Sequence, residues 1–166
     1  MDAQNKENNE MPEQGGLYSA AERQRRDQSP WTIVQGVLAP LQFLVFLVST
    51  ALVWRYLSTG EGAAIASASV VVKTLVLYAI MITGSIWERD VFGQYLFARP
   101  FFWEDVVSML VLALHTAYLV CLVTGYLTIT EQLILALLAY FVYVVNAAQF
   151  LVKLRMARRE AAEVVV

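Results

Sequence analysis

Apolar positions in this chain fall in long blocks, and charged residues mark where each block ends. No charge occurs between Asp27 and Arg55, an uncharged run of 27 residues from Gln28 to Trp54. At about 1.5 Å of rise per residue, a helix of that length exceeds the roughly 30 Å hydrocarbon thickness of a bilayer. Ser29 and Pro30 mark its start, the serine as N-cap and the proline in the first turn. Pro40 predicts a kink, tolerated where neighbouring helices satisfy the freed carbonyl. A second block is interrupted by Lys73, a third holds His115, and a fourth ends at the basic "KLRMARR". The pattern predicts an all-α integral membrane bundle of four transmembrane helices, over about 31–56, 66–87, 106–128 and 132–153. These spans make one domain, 29–153, preceded by a polar 1–28 tail expected to be disordered and followed by a basic, then apolar 154–166 tail. "TGEG" (59–62) and "TGYLTIT" (124–130) read as short turns, and no internal repeat is visible.

Composition strengthens the membrane reading. The 166 residues are 58% hydrophobic, where about 45–50% is ordinary for a soluble domain. A net charge of −2 argues neither for nor against nucleic acid, but with no basic stripe or nucleic-acid motif that class is discounted. Ten of the twelve Lys and Arg residues fall in the two tails and the loop between spans two and three; only Arg55 and Lys73 do not. The positive-inside rule then puts both termini in the cytoplasm. The first apolar run starts too late, and is too long, for a cleaved signal peptide. Cys121 is the only cysteine, which rules out an intrachain disulfide and a CxxC site. With one histidine as well, the chain cannot build a protein-only zinc or haem-pair site, and no cofactor is expected.

The polar residues inside the spans are the candidate chemistry. Glu104, Ser108, Val111, His115 and Tyr118 recur at spacings of four, three, four and three, so they share one helical face. Val106–His115 covers roughly 14 Å of rise, which puts the imidazole near the midplane. Asp105 sits beside the stripe. In the first span Gln35 and Gln42 lie seven residues apart; in the fourth, Asn146, Gln149 and Lys153 form a similar stripe. Together Gln35, Gln42, Glu104, Ser108, His115, Asn146 and Gln149 are expected to line a cavity open to the cytoplasm. Amides in membrane helices also serve as interhelical ties, and that reading stands beside the first. Lys73 is expected to snorkel toward the outer surface. The loop "WERDVFGQYLFARPFFWED" (87–105) interleaves aromatics with charges. It reads either as an interfacial aromatic belt or as a doorway for a flat apolar ligand.

The strings "SPWTIVQGVLAPLQFLVFLVS", "VVVKTLVLYAIMITGSIWE", "VFGQYLFARPFFWEDVVSMLVLALHTAYL" and "NAAQFLVKLR" resemble the membrane-bound 2-vinyl bacteriochlorophyllide hydratases of phototrophic bacteria. The resemblance runs from about Leu17 to Arg159 without departure inside the spans. It implies addition of water across the C3 vinyl group of a chlorophyllide-type tetrapyrrole, giving a 1-hydroxyethyl group, in bacteriochlorophyll a biosynthesis. It also implies a location in the cytoplasmic or intracytoplasmic membrane of a phototroph. Hydration needs a proton donor, a placed water and a flat apolar slot. Glu104 or Asp105 is expected to donate the proton, with His115 as rival donor or as ligand to the substrate's magnesium. Gln35, Gln42, Ser108, Asn146, Gln149 and Trp103 are expected to contact water or macrocycle, and Arg99 or Arg89 to pair with its propionate. Four helices are small beside a macrocycle, which raises a homodimer, or contact with neighbouring bacteriochlorophyll-synthesis enzymes, as further expectations. The same residues would also suit a non-enzymatic pigment-binding or assembly protein.

Overall fold

Long apolar runs, each closed by a glycine or a charge cluster, become long helices. The computed structural model describes residues 16–163. In chain order they form α1 (Ala20–Gln28), α2 (Pro30–Thr59), α3 (Ala63–Phe92), a 3-10 turn (Arg99–Phe101), α4 (Phe102–Thr124) and α5 (Ile129–Glu163). Four of these helices, α2 to α5, are long and apolar enough to cross a membrane. The all-α, four-span reading of the sequence therefore holds, and the chain is a multi-pass membrane protein.

Three details of the expected layout need correction. The last nine residues of the 1–28 tail are helical, because Ser19 and Glu22 close a capping box at the start of α1; residues 1–15 lie outside the described residues. The third span ends at Thr124 rather than near 128. There Gly125 adopts φ 66°, a left-handed turn open to glycine, and its N–H bonds Cys121 O. Ser29 does precede Pro30, but its hydroxyl makes no cap; it donates instead to Asp90 Oδ2 at 2.8 Å, tying the start of α2 to the end of α3.

The helices run alternately up and down, so one end of the bundle gathers the start of α2, the 93–101 connection and the end of α5. This is the charged end. The α2–α3 and α4–α5 hairpins are each closely packed, and contact between the hairpins is thinner. Small residues such as Ala66, Ala136 and Ala139 let the backbones approach at the end away from the charges. The core joins Phe46, Val53, Val70, Leu77, Val111, Tyr118, Leu133 and Tyr140. Outward faces carry Leu44, Val48, Ile82, Leu110 and Phe141, fully apolar and turned toward where lipid would lie. At the charged end a second cluster packs α1 against the bundle: Tyr18 stacks on Phe92 at 5.7 Å, and Trp87 and Phe101 complete the group. Half of the aromatic loop is thus internal packing. Tyr95, Phe97, Phe102 and Trp103 remain exposed.

Candidate functional site

The expected polar stripe on α4 is present: Glu104, Asp105, Ser108, Val111, His115 and Tyr118 are all buried. The single cavity expected around it is not. The side chains assigned to it divide among three places, because most of the amides and carboxylates find partners in neighbouring helices.

At the charged end, α4 and α5 are joined by a polar chain. Ser108 Oγ donates to Asn146 Oδ1 at 3.1 Å, and Asn146 Nδ2 donates to the Glu104 carbonyl at 2.9 Å. Lys153 Nζ donates to Pro100 O at 2.6 Å and lies 3.7 Å from Glu104 Oε1. Asp105 turns the other way and accepts from the Phe97 N–H at 2.7 Å. Glu88, at the end of α3, accepts from the Ala98 N–H at 3.2 Å, next along the chain from the Phe97 N–H that Asp105 holds. The pair clasps the 93–98 loop, in which Phe97 takes a left-handed φ of 61° that side chains rarely adopt. Arg99 and Trp103 stand exposed beside this clasp, while Arg89 bonds the Tyr95 hydroxyl.

Gln35 belongs to a different place. Its amide donates to Thr83 Oγ1 at 2.7 Å and packs against Gly84, tying α2 to α3. Gln149 is half-buried and, with Glu104, Val144, Val145, Ala148 and Val152, lines an open, almost wholly apolar groove of about 520 Å3 on the outer face of α5.

The third place is a layer halfway along the bundle, to which all four long helices contribute. Lys73 comes from α3, His115 from α4, and Tyr140 and Tyr143 from α5; from α2, Phe46 meets both tyrosine rings, and the buried Gln42 lies one turn before it. His115 is fully buried, with its ring centroid 5.8 Å from that of Tyr140. Its Nδ1 lies 2.8 Å from the Val111 carbonyl, which can only accept. Nδ1 is therefore the donor, and in the neutral ring Nε2 carries a lone pair. Among the described residues, His115 Nε2, Lys73 Nζ and both polar atoms of the Gln42 amide have no hydrogen-bond partner. Lys73 does not snorkel. It is fully buried, with Nζ 3.8 Å from the Tyr143 ring centroid, because α3 points it at the aromatic face of α5 rather than along the bilayer normal. Among the described residues, no group of three His, Cys, Asp or Glu side chains comes together.

Comparison with known proteins identifies what kind of bundle this is. The family model of 2-vinyl bacteriochlorophyllide hydratase matches residues 18–156. The chain belongs to that family. It is 60% identical over 151 residues to the 2-vinyl bacteriochlorophyllide hydratase of Rhodobacter capsulatus, covering 91% of this chain and 88% of the relative. It is 62% identical over 142 residues to the protein of the same name from Cereibacter sphaeroides, covering 86% and 88%. No solved structure matches. Within this hydratase-family chain, sequence reading missed Glu88 and underrated Lys73. Glu88 looked like one more loop charge, since its pairing with Asp105 depends on how the loop folds back. Lys73 carried a usable signal: a lone cation deep inside an apolar span.

Proposed function

We propose that this chain is a vinyl hydratase, adding water to the vinyl group of a chlorophyllide-type tetrapyrrole to give the 1-hydroxyethyl derivative in bacteriochlorophyll synthesis. The observation that carries this is the family match across residues 18–156, which takes in all four long helices. The chemistry of the bundle supports it. Protonation of the terminal CH2 leaves a cation that the macrocycle delocalises, and water attacks the adjacent carbon. Such a reaction needs an acid, a base and a placed water; no redox group is involved, and magnesium is part of the substrate.

His115 is the acid–base group that the geometry favours. Its Nε2 is buried and unengaged, whereas Glu104 faces Lys153 and Asp105 is held by Phe97 and Glu88. The Lys73 amine, set against the same Tyr140 ring as His115, also argues against His115 as a ligand to the substrate's magnesium, since two cationic centres would crowd one buried site. In this reading Glu104, Asp105, Ser108 and Asn146 shape the charged end. Arg99 and Trp103, both exposed there, meet the macrocycle's carboxylate and edge as it arrives. In this reading that end faces the cytoplasm, which the Lys and Arg distribution supports, in the cytoplasmic or intracytoplasmic membrane. A second reading places the acid at Glu88 and Asp105, and the convergence of these two buried carboxyls on adjacent amides of one loop favours it.

The test uses the full chain in membranes incubated with a 3-vinyl chlorophyllide. Product with a blue-shifted absorption band and the mass gain of one water is expected. Pigment that binds and returns unchanged would instead identify a pigment-binding protein.

A further inference from the structure

The mid-bundle layer holds one ionisable group that hydration by His115 alone leaves without a task. Lys73 is fully buried, and among the described residues no carboxylate lies within ion-pair distance of it. Its ammonium is 3.8 Å from the ring centroid of Tyr143 and 6.0 Å from that of Tyr140, the ring that His115 also contacts. An ammonium in an apolar span is costly, and a leucine or methionine would fill the same space without that cost. A purely structural lysine would be expected to show hydrogen-bonded partners; Nζ has none.

The loose ends in this layer are complementary. Lys73 offers only donors, His115 Nε2 is an acceptor in the tautomer fixed by Val111, and the Gln42 amide offers both. A water placed among them takes a hydrogen bond from Lys73 or Gln42 on one lone pair and points a proton at Nε2. Its second lone pair stays free to attack. Sites with several polar partners and no competing contact are where buried water binds.

We propose that Lys73 and His115 are the acid and the base of the hydration, with the reacting water held between them and Gln42. The step balances. A Lys73 N–H proton passes to the terminal vinyl carbon, whose π pair forms the new C–H bond and leaves the cation on the inner carbon. The water oxygen bonds that carbon while one water proton passes to His115 Nε2. The imidazolium then returns a proton to the Lys73 amine through a second water, so the net change is alkene plus water to alcohol. The ring faces of Tyr140 and Tyr143, which first hold the ammonium, lie beside the charge as it moves to the macrocycle. The proposal puts the macrocycle's approach at the seam between the two hairpins. A membrane-facing groove of about 290 Å3, lined by Tyr78, Met81, Ile82, Leu112 and Thr116, opens there. A bond of 2.8 Å between the Tyr78 and Thr116 hydroxyls spans it.

The proposal rests on the hydratase reading, and its test separates the two. Full-length Lys73→Met and Lys73→Arg are compared with wild type in membranes, using a 3-vinyl chlorophyllide. Both should bind pigment within about twofold of wild type and lose product formation by about 100-fold or more, the scale of an acid–base contribution. Arginine keeps the charge but cannot release its proton, so rescue by Lys73→Arg would mean that only charge matters and would overturn the acid role. Wild-type turnover in Lys73→Met would overturn the proposal outright. His115 is the only histidine in the chain, so its 15N spectrum reports the layer without any reaction. An Nε2 resonance that shifts in Lys73→Met is expected, and one that stays fixed would contradict a shared water whether or not the protein turns over. Wild type that makes no product while Nε2 responds to Lys73 would sink the hydratase reading and the acid–base roles, leaving a hydrated pair only.

Discussion

The charged end and the middle of this bundle use the same kinds of side chain in opposite ways. At the charged end the buried carboxylates Glu88, Glu104 and Asp105 each meet a partner: a loop amide, Lys153, or one another. In the middle, Gln42, Lys73 and His115 are buried more completely yet keep polar atoms without partners. Satisfied polar groups fix a structure, whereas unsatisfied ones raise its free energy and persist where they serve chemistry. The contrast teaches that burial of a titratable group is weak evidence for a catalytic role. Burial with free valences is stronger.

Five substitutions at four positions can break or sharpen that contrast. Asp105→Ala removes the acceptor for Phe97 and the partner of Glu88, and should destabilise the protein by about 2–3 kcal/mol, within the range for buried polar groups left unpaired. Asp105→Asn can still accept from Phe97, so its loss should stay under about 1 kcal/mol; thermal melting in detergent measures both. Lys153→Met leaves Glu104 facing no cation and frees the Pro100 carbonyl. Because Lys153 is partly exposed, about 1–2 kcal/mol is expected, well short of the cost of breaking a fully buried pair. Gln42→Leu should do the reverse, raising the melting point by up to about 1 kcal/mol equivalent through removal of an unsatisfied amide. Its product formation should nevertheless fall several-fold; a Gln42→Leu protein that melts lower and hydrates normally would show the amide to be structural. Gln35→Leu should be the mildest, near the ~0.6 kcal/mol average of a membrane polar contact, with turnover unchanged.

Much of this was legible in the sequence. Charge punctuation located all four long helices, and the three-and-four spacing from Glu104 to Tyr118 placed those residues on the buried face that the fold displays. What could not be read was the matching of faces between helices. Gln35 and Gln42 share a heptad spacing, yet one ties α2 to Thr83 on α3 and the other turns into the core. Lys73 looked able to snorkel because its flexible stem permits it; only the position of Tyr143 on another helix shows where the ammonium goes. The Glu88–Asp105 clasp was hidden for the same reason, since its geometry depends on a loop that reverses at Phe97. Periodicity fixes a residue's face on its own helix, and partners across helices follow from tertiary packing.

The decisive measurement compares two proteins in the same membranes: the Glu104→Gln/Asp105→Asn double variant and His115→Gln. Each is supplied with a 3-vinyl chlorophyllide and followed for hydroxyethyl product. With the chemistry in the mid-bundle layer, the double variant should retain product formation within about tenfold of wild type, while His115→Gln loses about 100-fold or more. The opposite order, with His115→Gln active and the double variant inert, would move the reaction to the charged end and contradict a mid-membrane centre.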